Sequence, residues 1–505
     1  MWQSTLFGIA VAAPWIAVGV AASRPLPTAT TARAAAGVMC LGAGAALGAG
    51  ILVTTGRPGP TGTPWAGDAL SALLLILVSG LSAVIQLFAL RYLRGDARQR
   101  WFSVWANGLT GSTAVMVCAG TVVVFTIGWL AAGACLVALL NTYRSLPQAR
   151  QGARRTALSL LIADTPLVVA VVVLVVAAGG DVRFAHLAHV LPAEGAGVVA
   201  LLLVVSALGR SAQFPFHRWL PTTLSAPTPV SALLHAGVVN AGAILLIRFS
   251  PLVAPVSAAM LLVFAAGAAT LVSATAVRLV KPDVKGRLVF STAGQMGFMM
   301  MAVGLGAFAG AVFHLIAHAL YKSALFLSAG TVTAVKAEQR SRPAPAPAPR
   351  AKTVAIVALA AALAIAVLVT GETLLAAHVT PAGLALLGFV TCTAIVAVAS
   401  GLRRALTPAT VLAAIVGLAG GGLVYLGFLE LFHELIAPTA DARPVSPWWL
   451  LIPAALLLTL EAVTRLPRIA GRLQGVLYAR TLAASTVRPA APPRPTPSRQ
   501  IGVAP

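Results

Sequence analysis

The stretch from Ser206 to Gly242, SALGRSAQFPFHRWLPTTLSAPTPVSALLHAGVVNAG, decides the fold of this 505-residue chain. Apolar sequence typical of helices runs into it from both sides. The stretch itself carries polar, charged and proline residues, namely Arg210, Gln213, Pro215, His217, Arg218, Pro221, Pro227, Pro229 and His235. Proline removes a backbone donor and interrupts a helix, so the pattern predicts a broken helix near residues 210–221.

The sequence around this stretch is that of a membrane protein. It is 59% hydrophobic and only 9% charged, with a mean hydropathy of +0.93, whereas soluble domains carry about 25% charged residues. Apolar segments long enough for the ~20 residues of a membrane-spanning helix recur along the whole chain. They are 4–22, 34–54, 66–92, 103–119, 121–142, 156–178, 194–214, 229–249, 255–277, 287–306, 310–334, 353–371, 382–402, 408–433 and 447–464. We therefore expect an all-α polytopic membrane protein with about 14–15 transmembrane helices.

The positive charge is concentrated in alternate loops, which predicts the orientation of the chain. The net charge is +23, and the loops after odd-numbered helices hold most of the basic residues. These are Arg94, Arg98, Arg100, Arg144, Arg150, Arg154, Arg155, Arg278, Lys281, Lys285, Arg287, Lys336, Arg340, Arg342, Arg350, Lys352, Arg403 and Arg404. The positive-inside rule then places the N-terminus outside the cell membrane and the C-terminus in the cytoplasm. It also accounts for the charge without nucleic acid as a partner.

Asp164, near the middle of the predicted sixth helix, and Arg210, in the interrupted seventh helix, require each other. A bare carboxylate such as Asp164 is costly in hydrocarbon, so it is either protonated or paired. Arg210 is always charged and needs a counter-charge, for which Asp164 on the preceding helix is the natural candidate. Asp164 is therefore interpreted either as a structural partner of a neighbouring helix or as part of a functional site.

His314, His318 and Lys322 are spaced four residues apart, which places them on one face of a helix. Two imidazoles and an amine on one stripe suit a proton relay, because histidine titrates near neutral pH. A metal site and a hydrogen-bonded interface stripe remain alternatives. His235 is either a buried core histidine or a further relay group. Glu372 lies at a Gly371-Glu372 break and is either exposed or the end of a polar path.

Sequence motifs for catalysis and for cofactor binding are not found. The chain has no P-loop, dinucleotide-binding glycine motif, HExxH, serine-nucleophile elbow or CxxC. Its cysteines, Cys40, Cys118, Cys135 and Cys392, lie singly in apolar segments without metal-ligand spacing. We therefore expect a protein that moves ions or protons, and that is not an enzyme and binds no cofactor or metal.

The opening stretch, together with KPDVKGRLVFSTAGQMGFMMMAVG and HLIAHALYKSALFLSAG, resembles the antiporter-like subunits of respiratory complex I and of Mrp cation/proton antiporters. The resemblance spans about residues 65–377. It implies two inverted five-helix repeats, broken seventh and twelfth helices, and buried charges along the membrane midplane. His235, His314, His318 and Lys322 match positions of the family, as do Asp164 and, in one branch, Glu372.

Two departures from the family pattern alter its typical ion pair. The family has lysine at the position of Arg210, and it has glutamate after the tryptophan where this chain has Leu130 after Trp129. The run PTPVSALLHAGVVNAGAILLIRFSPL is similar to the membrane subunit of DAB-type inorganic carbon transporters (DabB). That resemblance implies a large zinc-containing, carbonic-anhydrase-like partner subunit (DabA) on the cytoplasmic side, in which ion flow drives CO2 hydration. A complex I or Mrp-type subunit, and a structural membrane platform without ion conduction, are the alternatives.

The resemblance divides the chain into five parts. These are N-terminal transmembrane helices (1–100), a first antiporter-like repeat (101–250), a second repeat (251–402) with a linker at 338–352, C-terminal transmembrane helices (403–466), and a basic cytoplasmic tail (467–505), partly disordered.

Overall fold

The computed structural model of the chain describes residues 2–54, 64–281, 283–329, 350–375, 407–433 and 442–464, with scattered residues between 383 and 402 and between 471 and 479. The α-helices are α1 (Trp2–Ala22), α2 (Thr28–Thr54), α3 (Ala69–Tyr92), α4 (Gln99–Val117), α5 (Val122–Leu140), α6 (Pro147–Ala178), α7 (Ala193–Arg210), α8 (Thr228–Ala236), α9 (Ala241–Arg248), α10 (Ser250–Val253), α11 (Ser257–Val280), α12 (Val284–Gly304), α13 (Phe308–Leu327), α14 (Arg350–Leu375), α15 (Pro408–His433) and α16 (Leu451–Thr464). Short 3-10 helices lie at Phe184–His189, Phe216–Thr223, Val238–Asn240 and Pro447–Leu450. The described residues thus form a helical bundle, as predicted.

Ten helical segments among the described residues are long and apolar enough to cross a membrane. One of them, Thr228–Arg248, contains α8, a 3-10 turn and α9. We call it the eighth span, because it corresponds to the eighth predicted helix. In its most apolar window 94% of the residues are buried, against 11–56% for the other nine segments. The chain is a multi-pass membrane protein, and the eighth span lies at the centre of the bundle.

The loops at one end of the bundle are tied together by hydrogen bonds. The Tyr143 hydroxyl, between α5 and α6, donates to Asp96 Oδ2 between α3 and α4 at 2.6 Å. Lys285 Nζ, in the first turn of α12, donates to the carbonyl oxygens of Leu224 and Ala226 at 2.8 and 2.5 Å. We call this end the basic face, defined by the loops at 93–98, 141–146, 224–227 and 281–283.

The predicted break in the seventh helix is confirmed. Helix α7 ends at Arg210 and not at residue 214, and Ala212 then adopts a positive φ of 51°. A 3-10 helix, Phe216–Thr223, follows. The α-helix therefore ends among the polar residues that precede Pro215, as the sequence predicted.

The predicted eighth helix at 229–249 is found as the span Thr228–Arg248, but it is interrupted, which was not predicted from the sequence. Helix α8 ends at Ala236, one residue after His235, and Val238–Asn240 forms a 3-10 turn before α9 begins. Gly237 carries no side chain to favour helix, and the two β-branched valines that follow have low helix propensity. His235 thus lies beside a break and not deep in a helix.

The predicted second break at Gly371-Glu372 is also wrong, because α14 continues through these residues to Leu375. A glycine within a helix costs only about 1 kcal/mol relative to alanine, and the apolar sequence on both sides sustains the helix. Helix α14 begins at Arg350, inside the linker predicted at 338–352. The rest of that linker, the side chain of Glu372 and most of the tail 467–505 lie outside the described residues. The division into repeats remains a prediction.

Candidate functional site: a buried ion pair and a line of imidazoles

The predicted pairing of Arg210 with Asp164 is confirmed. Arg210 Nη2 donates to Asp164 Oδ2 at 2.7 Å, and the two side chains are 1% and 9% exposed. Arg210 is the last residue of α7, and Asp164 lies at the middle of α6, which packs against α7. The permanent charge of Arg210 is thus balanced by the carboxylate of Asp164. The pair joins the end of α7, where the seventh helix breaks, to α6.

Trp129 of α5 holds both members of the pair. Its indole Nε1 donates to Asp164 Oδ1 at 2.7 Å. Its carbonyl oxygen accepts a hydrogen bond from Arg210 Nη2 at 3.1 Å, and the guanidinium carbon lies 4.3 Å from the centroid of the indole ring. Stacking on an aromatic face attracts a guanidinium cation. Each oxygen of the Asp164 carboxylate therefore accepts a hydrogen bond, and the Arg210 guanidinium packs against the indole ring of Trp129.

Leu130, at the position where the sequence resemblance led us to expect glutamate, faces away from this site. Its side chain is 40% exposed, whereas the adjacent Trp129 is fully buried. Consecutive residues of a helix point about 100° apart, so only one of the two faces Arg210. The counter-charge therefore comes from α6, and the altered ion pair is complete without a carboxylate at residue 130.

The breaks in the seventh and eighth spans contact each other directly. Ser211 Oγ, one residue after Arg210, donates to the carbonyl oxygen of Val239 at 2.6 Å. A Cβ atom on Gly242 would lie 2.3 Å from the carbonyl oxygen of Ala207. Only glycine permits this approach of α9 to α7. The end of α7, which carries Arg210, is thereby in direct contact with the eighth span.

His235 lies on the other side of the eighth-span break, stacked on α13. Its ring is parallel to that of Phe326, with centroids 4.4 Å apart and an interplanar angle of 3°. The residue is 1% exposed, and neither ring nitrogen has a hydrogen-bond partner among the described residues. Phe326 follows Lys322 by one helical turn, so His235 joins the stripe on α13.

His314, His318 and Lys322 share one face of α13, as predicted. The two imidazole rings lie 6.1 Å apart and nearly parallel, at 18°. Lys322 is 1% exposed, and its Nζ donates to Ser291 Oγ of α12 at 2.8 Å. His318 is 3% exposed, and neither of its ring nitrogens has a hydrogen-bond partner among the described residues. The described part of the chain contains no group of three or more His, Cys, Asp or Glu residues suited to a metal ion.

Several contributors to the site were not predicted from the sequence. They are Ser211 and Val239 at the contact between the two breaks, Ser291 beside Lys322, and Phe326 under His235. Trp129 was noted only as a family position. A local sequence signal exists for the eighth-span break, where Gly237 precedes two valines. The remaining partners come from other helices and could not be read from local sequence.

The arrangement has two chemically different parts. Arg210 and Asp164 form a fixed charge pair, since guanidinium does not release its proton in proteins. The imidazoles and the amine of Lys322 have exchangeable protons and lie in one line beside the break. Such a line can pass protons, while the pair sets the local electrostatic potential. Glu372 cannot be joined to either part from the described side chains.

Two family sequence models match the chain. One, "NADH:quinone oxidoreductase/Mrp antiporter, TM", covers residues 119–366, and the other, "NADH-Ubiquinone oxidoreductase (complex I), chain 5 N-terminus", covers residues 64–102. Together they span more than half of the chain, including the pair and the α13 stripe. The chain belongs to the NADH:quinone oxidoreductase/Mrp antiporter family.

Within this antiporter family, named relatives of different kinds are almost equally similar. The chain is 36% identical over 282 residues to the probable inorganic carbon transporter subunit DabB1 of Halothiobacillus neapolitanus, which covers 54% of this chain and 50% of the relative. It is 34% identical over 272 residues to NADH-quinone oxidoreductase subunit L of Escherichia coli, covering 52% and 44%. The matched part thus spans about half the length of these relatives.

A solved structure extends the likeness within the antiporter family to nearly the whole chain. The Mrp complex from Dietzia sp. DQ12-45-1b matches with a TM-score of 0.63 and 26% identity, over 96% of this chain and 57% of that one. The fold is therefore that of a membrane-complex subunit.

Proposed function

We propose that the chain is the membrane subunit of an energy-coupled inorganic carbon uptake complex. In this proposal it conducts protons or sodium ions and drives CO2 hydration in a zinc-containing, carbonic-anhydrase-like partner on the cytoplasmic side. The basic face is then cytoplasmic, in the inner membrane, with the N-terminus outside. The names of the inorganic carbon transporter subunits among the relatives support this assignment.

The observation that carries the proposal is the altered ion pair. Arg210 and Asp164 are bonded at 2.7 Å, while Leu130 occupies the family's glutamate position and faces outward. A respiratory pump of this family is expected to use a lysine, which can release its proton. Arginine cannot, so Arg210 acts as a fixed positive charge. His235, His318, His314 and Lys322 then move protons along α13.

A second candidate is a proton-translocating subunit of complex I or of an Mrp-type cation/proton antiporter. The Escherichia coli relative and the Mrp structure support it. The two candidates predict different partners, because a carbon-uptake subunit requires a large zinc-binding protein and a respiratory subunit requires other membrane subunits.

Co-purification and growth together test the proposal. The chain, expressed with a large zinc-binding, carbonic-anhydrase-like protein of the DabA type, is expected to purify as a complex with that protein. The pair is also expected to restore growth in air to a host that lacks carbonic anhydrase. Lys322→Ala should abolish this rescue while leaving the complex assembled. Co-purification with respiratory subunits and no rescue would establish the second candidate instead.

A further inference from the structure

A group of hydrogen-bonded polar side chains lies between α3 and α4, apart from the ion pair and the imidazoles. Gln86 Nε2 donates to Ser82 Oγ at 3.0 Å and to Asn107 Oδ1 at 2.9 Å. Ser82 and Thr110 share a hydrogen bond of 2.6 Å, and Asn107 Nδ2 donates to the carbonyl oxygen of Ser103 at 2.7 Å. The four bonded side chains are at most 4% exposed. We call them the α3–α4 polar cluster: Ser82, Gln86, Asn107 and Thr110.

A small cavity lies at the end of this cluster toward the basic face. Its polar lining comes from Gln86, Gln99 and Ser103, and its volume is about 10 Å³. That volume is close to the smallest that holds one water molecule. Gln99 is the first residue of α4 and is bonded through its backbone to Asp96 of the adjacent loop. This end of the cluster is therefore next to the basic face.

A larger cavity of about 50 Å³ lies at the other end of the cluster, beside the eighth-span break. Ser82, Thr110 and Thr113 line it from α3 and α4, and Gly237 and Asn240 line it from the break. Its volume can hold water, and although most of its lining is apolar, the hydroxyl groups supply polar partners for buried water. The cavity thus connects the α3–α4 polar cluster to the break.

Asn240 gives this cavity an unused acceptor. The residue is 1% exposed, and its Nδ2 donates to the carbonyl oxygen of Ala236 at 2.7 Å. Its Oδ1 has no hydrogen-bond partner among the described residues. A buried acceptor without a partner costs free energy. His235, whose ring nitrogens likewise have no partner in the described part of the chain, lies two residues before Gly237.

We propose that the α3–α4 polar cluster and its two cavities form a hydrated branch leading from the basic face to Asn240 and His235. Water bound to Ser82, Thr110 and Asn240 Oδ1 completes the hydrogen bonding at the break. The branch reaches the eighth-span break at Ala236, next to His235 in the chain, and neither Arg210 nor Asp164 lines its cavities. Its role as a supply of protons to His235 rests on the proposed function, whereas its hydration does not.

Hydroxyl-radical footprinting of the full chain in lipid nanodiscs tests the hydration. Radicals generated from bound water oxidise side chains next to it. Leu233 and Leu315 line the larger cavity and are 8% and 2% exposed. The reference is Leu203 of α7, which is buried and does not line that cavity. Both cavity leucines are expected to oxidise several-fold faster than Leu203.

Variants of the branch provide the matched comparison. Ser82→Ala combined with Thr110→Val removes two hydroxyl groups and should slow oxidation of Leu233 and Leu315. Thr165→Val is the control, since Thr165 makes the same type of bond to a carbonyl four residues earlier but lies exposed on α6. It should leave the oxidation unchanged. Elution as a single species in gel filtration confirms that each variant is folded.

Proton flux into proteoliposomes containing the complex tests the supply role. Gln86→Leu is expected to lower the flux several-fold in a variant that still elutes as a single species in gel filtration. Oxidation of Leu233 and Leu315 as slow as that of Leu203 overturns the proposal, because the cavity is then dry. Rapid oxidation with normal flux in Gln86→Leu overturns the supply role. Absence of flux in the unaltered complex contradicts the proposed function, and footprinting still decides the hydration.

Discussion

Arg210 and Asp164 are bonded at 2.7 Å inside the bundle, at the point where the seventh helix ends. The carboxylate of Asp164 also accepts the indole N–H of Trp129, so both of its oxygens are occupied. The guanidinium is permanently charged and buried, and the carboxylate is its partner among the described residues. The end of the seventh helix thus carries a buried ion pair contributed by two different helices.

Removing one member of this pair should destabilise the protein strongly. Asp164→Asn leaves Arg210 buried without a counter-charge, and breaking a buried pair costs about 3–5 kcal/mol in the free energy of unfolding. Arg210→Met combined with Asp164→Leu removes both charges and should recover most of that loss. Thermal unfolding in detergent measures both. Glu194→Gln, an exposed acid in the first turn of α7, is the control and should leave the unfolding temperature unchanged. An unchanged unfolding temperature in Asp164→Asn contradicts the assignment.

A glutamate restored after Trp129 should not replace Asp164. Leu130 is 40% exposed on the side of α5 away from Arg210. We therefore expect Leu130→Glu combined with Asp164→Asn to unfold at the same temperature as Asp164→Asn alone. Leu130→Gln combined with Asp164→Asn controls for polarity at the site. Recovery of the unaltered protein's stability by the glutamate alone would show that α5 can still supply the counter-charge.

Alanine substitutions of two glycines should have opposite effects. A Cβ on Gly133 of α5 would lie 3.0 Å from Arg210 Nη1, so Gly133→Ala pushes the guanidinium away from Asp164. We expect a lower unfolding temperature and reduced ion flux. A Cβ atom on Gly44 of α2 would have no neighbouring atom within 4 Å. Gly44→Ala should therefore stabilise α2 by up to about 1 kcal/mol. Equal effects of the two substitutions would mean that space around Arg210 is not limiting.

Lys322 should be required for proton flux. Its Nζ is bonded to Ser291 Oγ at 2.8 Å and it is 1% exposed. Lys322→Met keeps the length of the side chain but removes the exchangeable protons, and flux into proteoliposomes should fall about tenfold or more. Ser291→Ala should cause a smaller loss, because it only releases the amine. Tyr321→Phe, on the exposed side of α13, is the control. Normal flux in Lys322→Met would remove Lys322 from the pathway.

Asp68, just before α3, and Arg248, at the end of α9, form an ion pair at the end of the bundle opposite the basic face. This pair should contribute stability that depends on pH. Burial opposes ionisation of Asp68, but Arg248 and the bonds to Ser71 prevail and lower its pKa to about 2. A lowered carboxyl pKa stabilises the folded state fully above the unfolded value of 3.8, and the stabilisation is lost as the pH falls through about 2. Asp68→Asn should therefore unfold at a lower temperature than the unaltered protein at pH 6. The difference should shrink steadily below pH 4, and a difference that does not change with pH would contradict the pairing.

Local sequence was sufficient for the membrane class, for most helix boundaries and for the break after Arg210. Long apolar runs, alternate basic loops and Pro215 act through local physics, namely the cost of exposing polar groups to lipid and the loss of a backbone donor. The pairing of Arg210 with Asp164 also followed from the sequence, since a buried arginine requires a counter-charge. The spacing of His314, His318 and Lys322 placed them on one face.

Only the tertiary structure decided which groups meet across helices. It placed Leu130 outward and Trp129 inward, brought Ser211 to Val239, and broke the eighth span beside His235. It also kept α14 continuous through Gly371, where local composition had indicated a break. These outcomes depend on close approach of backbones and on packing between residues far apart in the chain. The sequence thus determined which side chains needed burial and partners, and the packing of the bundle determined which partners they found.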